Sequence, residues 1–135
     1  MTYISQRQYL VAVEGITGYF MTKTGGNVTA DSVKFYAGGQ EVPDIVTGLR
    51  QVENITVSRA YDSDVDWDFL LALRSSVGKG ATTITVTETD GSLNSVGKVT
   101  TYTGCVLVSV NEPEYASDSG DPAVLQLEYA VKTVA

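Results

Sequence analysis

The chain has 135 residues, with sixteen acidic side chains, nine basic side chains and no histidine, and its formal charge is −7. This length suits one domain with a core of its own, spanning residues 1–135. The acidic balance argues against a surface that binds DNA or RNA, because phosphate binding draws on clustered Lys and Arg. The lack of histidine excludes Ser-His and Cys-His nucleophile pairs and any histidine metal site.

The polar N-terminus and the lengths of the apolar runs are also informative. Residues 1–7 are polar and are predicted to form an N-terminal arm, and Met1–Leu10 lacks the apolar segment of a signal peptide. No apolar run approaches the roughly 20 residues of a membrane span, so we expect no membrane partner. The lone Cys105 lies in an apolar run and is expected to be a buried, inert thiol.

The first third of the chain reads as extended segments separated by glycines. Tyr9–Glu14 is predicted to start a strand, and Gly15–Thr22 carries two glycines that indicate a bend before a second extended piece. Thr24–Asn27 has the composition of a turn. Asp31–Tyr36 is predicted to be another strand.

Residues 37–50 have no usable period and are predicted to form a long loop. Loops of this length inside a compact domain are often functional. Exposing the apolar residues of this loop together to water is unfavourable, so we expect the loop to contact a partner. The predicted contact residues are Val42, Pro43, Asp44, Ile45 and Val46.

A strand followed by a single helix is predicted for Gly48–Val77. Asn54–Arg59 alternates polar and apolar residues with a period of two, which indicates a half-buried strand. Asp62, Ser63 and Asp64 are N-cap residue types and precede a run with helical spacing. The residues predicted to pack this helix onto a sheet are Val65, Trp67, Phe69, Leu70 and Leu73.

The remainder again reads as strands. Ala81–Glu88 alternates strictly, Asp90-Gly91 is a hairpin signal, and Val99–Ser109 holds two short strands or one bent at Gly104. A polar loop at 111–122 precedes a last strand at Ala123–Val131. About seven strands and one helix predict a mainly β domain, an antiparallel β-sandwich or barrel with one flanking helix.

Candidate chemical sites are few. The alternating acids Asp62, Asp64, Asp66 and Asp68 lack the Gly and Glu that a calcium-binding EF-hand loop would need, and acids at a helix N-terminus are favoured by the helix dipole. Glu112 and Glu114 are the nearest carboxylate pair, and they are expected to be solvated loop acids. The pairs Gly25-Gly26 and Gly38-Gly39 match no phosphate-binding fingerprint. We therefore expect that the protein has no enzymatic activity and binds no metal ion and no cofactor.

The order of elements resembles that of bacteriophage tail tube proteins. The resemblance covers residues 8 to 133, and no single motif is diagnostic. It rests on the glycine-containing strand Gly15–Phe20, the long loop ending at Gly48-Leu49, the strand Glu53–Arg59 that leads through an Asp-rich turn to Trp67, and the final strand Leu125–Tyr129.

This resemblance implies a structural virion protein, made in the bacterial cytoplasm, that forms hexameric rings. Strands from all subunits would close one barrel, and the rings would stack into a tail tube for genome delivery. The loop at 37–50 would reach the neighbouring ring, and the other partners would be tail tip or baseplate, tape-measure and terminator proteins, with DNA in transit. Polar strand residues are candidates to face the channel: Asn54, Thr56, Ser58, Thr101 and Thr103.

Two alternatives remain open at this point. The tube of a bacterial contractile secretion system would share the fold and the ring. A monomeric β-sandwich that binds carbohydrate would instead use Tyr36, Trp67 or Tyr102 as stacking platforms, which requires aromatic side chains on one exposed face.

Overall fold

The computed structural model describes residues 3–111 and 120–135. Within these residues the chain forms nine strands and a single helix, α1 (Asp66–Ser76), which lies between β5 and β6. The strands are β1 (Tyr9–Val13), β2 (Thr22–Gly25), β3 (Val28–Phe35), β4 (Asp44–Val52), β5 (Ile55–Ala60), β6 (Thr82–Thr89), β7 (Ser95–Asn111), β8 (Val124–Ala130) and β9 (Thr133–Val134). The predicted fold class, mainly β and antiparallel with one helix, is confirmed.

Seven strands form one sheet that folds over on itself. Its order is β1-β6-β7-β8-β5-β2, with β9 beside β7, and every pairing is antiparallel. The long strand β7 pairs with β6 up to Cys105 and with β8 from Val106 onwards. Gly104 lies at the change of partner with a φ of +66°, and a Cβ there would come within 2.7 Å of Lys132, so a glycine permits the bend.

The bend divides the sheet into two layers. We call β1, β6, β9 and the first part of β7 the β6 half, and the rest of β7 with β8, β5 and β2 the β5 half. The end strands approach each other where the Phe20 N–H donates to the Val11 carbonyl at 2.8 Å. The result is a sandwich that is almost closed along one side.

Alternating residues of both halves fill a single core. The most deeply buried apolar side chains are Ile55, Val57, Ile84, Leu125, Leu127 and Tyr129. They belong to one cluster that also takes in Val11, Val13 and Tyr102. Each fully buried apolar side chain of this size contributes roughly 1.5–3 kcal/mol, so this cluster supplies most of the driving force for folding.

The helix packs less extensively than its sequence predicts. Leu70 is buried and Leu73 and Phe69 are half-buried, but Val65 is 39% exposed and Trp67 is 54% exposed, so their assignment to the core is wrong. Helical periodicity identifies an apolar arc without showing how much of it a neighbour covers. Here the helix lies on the side of the sandwich, mainly against β7, and the sheet reaches a narrow part of that arc.

A buried ion pair fixes the start of the helix. The Asp66 side chain is 1% exposed, pairs with the Arg59 guanidinium and accepts a hydrogen bond from the Asp62 N–H at 3.0 Å. The same guanidinium donates to the Thr17 carbonyl at 2.6 Å and lies 4.9 Å from the centroid of the Phe20 ring. Arg59 therefore joins β5, the helix and the segment that leads into β2.

The N-cap is Val65, which makes no side-chain capping bond, so the predicted capping by Asp62, Ser63 or Asp64 is wrong. Asp62 instead accepts the Asp64 N–H within the preceding turn, at 3.0 Å. Among residues 3–111 and 120–135, no three carboxylate or thiol groups are placed to hold a metal ion.

Replacing Asp66 with Ala should lower the free energy of unfolding by about 3 kcal/mol, because it leaves the largely buried Arg59 charge without its carboxylate partner. Asp68→Ala is the matched control, since Asp68 is an exposed acid in the same first turn and should change stability by less than about 1 kcal/mol. Urea unfolding followed by Trp67 fluorescence measures both. Equal losses would show that the ion pair has no special role.

Candidate functional site

The segment predicted as a long loop is mostly a β-hairpin. β4 begins at Asp44, so only residues 36–43 connect it to β3, and the interpretation of 44–50 as loop is wrong. The pairing of β3 with β4 shifts by one residue between Ala30 and Ser32, opposite Gly48 and Leu49. This bulge interrupts the period-two pattern, which is why the sequence gives no strand signal here.

The hairpin leaves nearly all of its surface without contacts. Every residue of β3 is exposed, and so is every residue of β4 except Val52. An isolated two-stranded hairpin is marginally stable in water at best. Among the described elements, the hairpin is therefore the one that most needs a partner.

One side of the hairpin is apolar towards its tip. Val33 lies directly opposite Val46, and Phe35 lies opposite Asp44. Since side chains alternate between faces, Val33, Phe35 and Val46 share one face, which we call the apolar face. Their exposed fractions are 63%, 46% and 57%.

The predicted contact residues divide among three places. Asp44 and Val46 belong to the apolar face, and Ile45 lies on the opposite face beside Lys34. Val42 is 77% exposed and lies with the half-buried Pro43 in the connection. The apolar partners Val33 and Phe35 were not singled out from sequence, because they belong to a strand that looked ordinary.

Two glycines join the hairpin to the body. Gly25 and Gly26 have φ angles of +85° and +81°. A Cβ on Gly25 would collide with the Asn54 carbonyl oxygen, and one on Gly26 would lie 3.1 Å from the Tyr102 ring. The composition of this pair indicated a turn, whereas its role is to let the β2–β5 ribbon continue, with a kink, into β3–β4.

The continuation of the ribbon is held by two hydrogen bonds. The Glu53 N–H donates to the Asn27 carbonyl at 2.9 Å, and the Asn27 amide donates to the Glu53 carboxylate at 3.0 Å. β3 has eight residues, so the hairpin extends roughly 26 Å beyond this point at about 3.3 Å per residue.

Three of the candidate channel residues belong to the β5 half. Thr56 and Ser58 lie on its outer face, and Asn54 is exposed just before β5. In register with them are Thr22, Thr24, Gln126 and Glu128. Among the described outward-facing residues of this half, Glu128 is the only charged one.

The other two candidates belong to the β6 half. Thr101 is paired with Thr85, and the Thr103 hydroxyl is hydrogen-bonded to that of Thr133. Both halves alternate with core residues that meet in one cluster, so their outer faces point away from the core on different sides. The five candidates therefore do not form one surface.

The described residues offer little for catalysis or for carbohydrate stacking. Tyr102 is 6% exposed, while Tyr36 is exposed in the connection at the hairpin tip and Trp67 on the helix, so the three proposed platforms do not form one face. Glu112 and Glu114 lie outside the described residues. None of the described helices has the length and apolarity to span a membrane.

Cys105 and Tyr129 lie at the floor of a groove beside α1. Burial raises the pKa of the Cys105 thiol, although a backbone hydrogen bond at Ile84 opposes this effect. Burial, together with the charge of a Cys105 thiolate, raises the pKa of Tyr129 to about 12. Both groups are therefore neutral at physiological pH, which gives no activated nucleophile.

Comparison of the fold with solved structures gives likenesses over the whole chain. A chain in the sheath/tube terminator structure of PVC, an extracellular contractile injection system, has a TM-score of 0.83 at 17% identity, covering 100% of this chain and 96% of that one. One from the anti-feeding prophage tube terminating cap has a TM-score of 0.78 at 17% identity, covering 100% and 91%. Hcp1 from Flavobacterium johnsoniae has a TM-score of 0.54 at 14% identity, covering 95% and 93%.

No protein-family profile matches the sequence, and no curated protein sequence matches it. The likenesses establish that the chain has a tail-tube fold of the kind found in contractile injection systems.

Replacing Gly25 with Ala should destabilise the protein by at least about 2 kcal/mol more than Gly15→Ala. Gly15 has a similar φ of +87°, but a Cβ there meets nothing within 4 Å, so it reports the cost of the backbone conformation alone. Chemical denaturation of the two variants measures the difference. Equal effects would mean that the Gly25 collision is relieved by a small shift.

Alkaline pH should weaken the fold through Tyr129. An unfolded tyrosine ionises near pH 10, whereas Tyr129 in the folded chain does so at about 12. Between these values the unfolded state releases a proton that the folded state retains, so the contribution of Tyr129 is intact below pH 10 and declines towards pH 12. Tyr129→Phe should flatten this part of the stability profile, and Tyr3→Phe, at an exposed site, should not.

Proposed function

We propose that this chain is a tube protein, whose copies join into hexameric rings that stack into a hollow phage tail tube for genome delivery. The observation that carries the proposal is the exposed hairpin, which extends from a stable sandwich and has an apolar face without a partner. The tail-tube fold over the full chain supports it. The role is structural and needs no catalytic group.

The hairpin makes the contact between rings in this proposal. It continues the ribbon of β2 and β5, so it extends in the direction of these strands beyond the body. If the strands of the β5 half run along the tube, the hairpin points towards the next ring. A contact of this head-to-tail kind does not close, and it generates an open stack.

The same orientation places the β5 half at the channel, so Asn54, Thr56 and Ser58 are the channel-facing candidates we retain. On its outer face the described residues carry the acid Glu128 and no base, and a wall without basic groups does not hold passing phosphates. Thr101 and Thr103 then face away from the channel.

The edges of the β5 half suit closure into a ring. β2 ends the sheet on one side, and β7 beyond Leu107 is paired on one side only with β8. Because successive strands alternate in direction, β2 and β7 run oppositely. The β2 edge of one copy would therefore extend the β7 edge of the next in antiparallel fashion, which removes exposed edges.

The proposed partners and location of the protein follow from this role. The partners are further copies of the chain, a tail tip or baseplate, a tape-measure protein and a terminator, with DNA in transit, and the protein resides in the virion tail. The tube of a contractile injection or secretion system is the second candidate, because the similar chains come from such systems. Purification of the intact particle distinguishes the phage tube from the injection-system tube, because a phage tail is attached to a DNA-filled head.

Substituting both Val33 and Val46 with Asp should prevent stacking while the body stays folded, because both lie on the apolar face. Ser32→Asp with Thr47→Asp is the matched control, a directly paired set on the opposite face at the same level. Negative-stain electron microscopy of each protein at high concentration scores rings and tubes. Long tubes from the Val33 and Val46 variant would contradict the hairpin assignment, and a wild-type chain that stays monomeric in the presence of preformed tail tips would overturn the function.

A further inference from the structure

A groove with mainly apolar walls lies along one flank of α1. Its volume is about 310 Å³, and the helix contributes Phe69, Ala72 and Leu73 to its wall. The body of the sandwich contributes Ile16 and Leu107 on the other side. The groove is open to solvent, so its walls remain partly wet.

The groove exists because the helix is incompletely covered. Leu70 is the single buried apolar residue of α1, while Phe69 and Leu73 beside it are only half-buried. A partner that filled the groove would finish the packing of these two side chains, and burial of additional apolar surface stabilises the contact. The groove is therefore a surface that gains from being occupied.

The apolar face of the hairpin carries side chains that suit this groove in size and charge. Phe35 is exposed there, and a cavity of about 150 Å³ is already enough to hold a benzene ring. Asp44 lies directly opposite Phe35 on the same face. Lys79 lies among the residues that line the groove, so an acid beside the inserted ring meets a base.

Charge makes this pairing more selective. The chain carries a net charge of −7, so two copies repel each other unless their contact places opposite charges together. The groove offers the base Lys79, and the apolar face of the hairpin offers the acid Asp44, whereas Lys34 lies on the other face of the hairpin. The two surfaces thus carry the same apolar character and complementary charges.

We propose that the groove beside α1 receives the apolar face of the hairpin of a second copy, with Phe35 inserted between helix and sandwich and Asp44 beside Lys79. This inference rests on the proposed function and adds where the hairpin binds. It explains why the helix and the hairpin both leave apolar side chains exposed.

Photocrosslinking tests the location. The full chain is prepared with Phe35→p-benzoylphenylalanine, mixed with ¹⁵N-labelled wild-type chain, assembled and irradiated. We expect crosslinks between differently labelled chains that map to residues 69–76 or to Ile16. Ser32→p-benzoylphenylalanine, on the other face of the hairpin, is the control and should give few crosslinks at these positions.

A charge exchange tests the pairing. Lys79→Glu and Asp44→Lys should each raise the concentration needed for assembly about tenfold or more, because each places like charges together in a partly desolvated contact. The double variant should recover most of the loss. Circular dichroism and unfolding of the single variants should match the wild type, since both residues are exposed.

The outcomes separate the two levels of the proposal. Crosslinks from Phe35 to another part of a second chain, with no rescue in the double variant, would overturn the groove as binding site and leave the hairpin contact intact. Crosslinks confined to one chain would overturn the groove as a site for a second copy. Absence of both crosslinks and wild-type assembly would overturn the proposed function itself.

Discussion

The Arg59–Asp66 ion pair lies where the three parts of this fold meet. One guanidinium reaches the first residue of α1, the Thr17 carbonyl and the Phe20 ring, and Phe20 in turn holds the two end strands of the sheet together through Val11. A buried pair adds modestly to stability compared with apolar packing, because desolvation offsets much of its attraction. Its value here is geometric, since it sets where the helix begins.

The position of the helix start determines the groove. From Asp66 the chain runs eleven residues to Ser76, and the Gly78 N–H then donates to the Leu107 carbonyl at 2.7 Å. Both ends of the helix are thus anchored to the sandwich, whereas the helix side chains between these ends cover the sandwich only in part. This arrangement keeps an apolar flank at a fixed distance from the body, and a partner can fill that space without moving the helix.

The body and the hairpin differ in how they are stabilised. The body buries apolar side chains from both halves of the sheet, whereas the hairpin relies on its ladder of backbone hydrogen bonds and on Gly25 and Gly26 at its base. Elements with few buried contacts open with a low free energy. Assembly would therefore order the hairpin and bind it in one step, so part of the binding energy offsets the ordering entropy.

A segment's structure follows from its sequence where one physical rule governs that segment, and it does not where two rules compete. Alternation predicted strands at Asn54–Arg59 and Ala81–Glu88, and their apolar residues Ile55, Val57, Ile84 and Val86 are buried, because a strand with one covered face must alternate. The bulge at Gly48 and Leu49 breaks that alternation, so a strand looked like a loop. Trp67 looked like core because periodicity reports an apolar arc and not the reach of the neighbouring sheet.

The candidate channel residues show a further limit, which is physical rather than statistical. Thr56 and Thr101 are both threonines that follow or precede a buried strand residue, and each lies on an outer face of the same sheet. What separates them is the direction in which their half of the sheet faces after β7 bends at Gly104, and this depends on contacts between residues far apart in the chain. Because the hairpin continues β2 and β5, the outer face that adjoins the hairpin is that of the β5 half. A single glycine in a long strand thus separates two outer faces that look alike in sequence, and under the proposed function only one of them lines the channel.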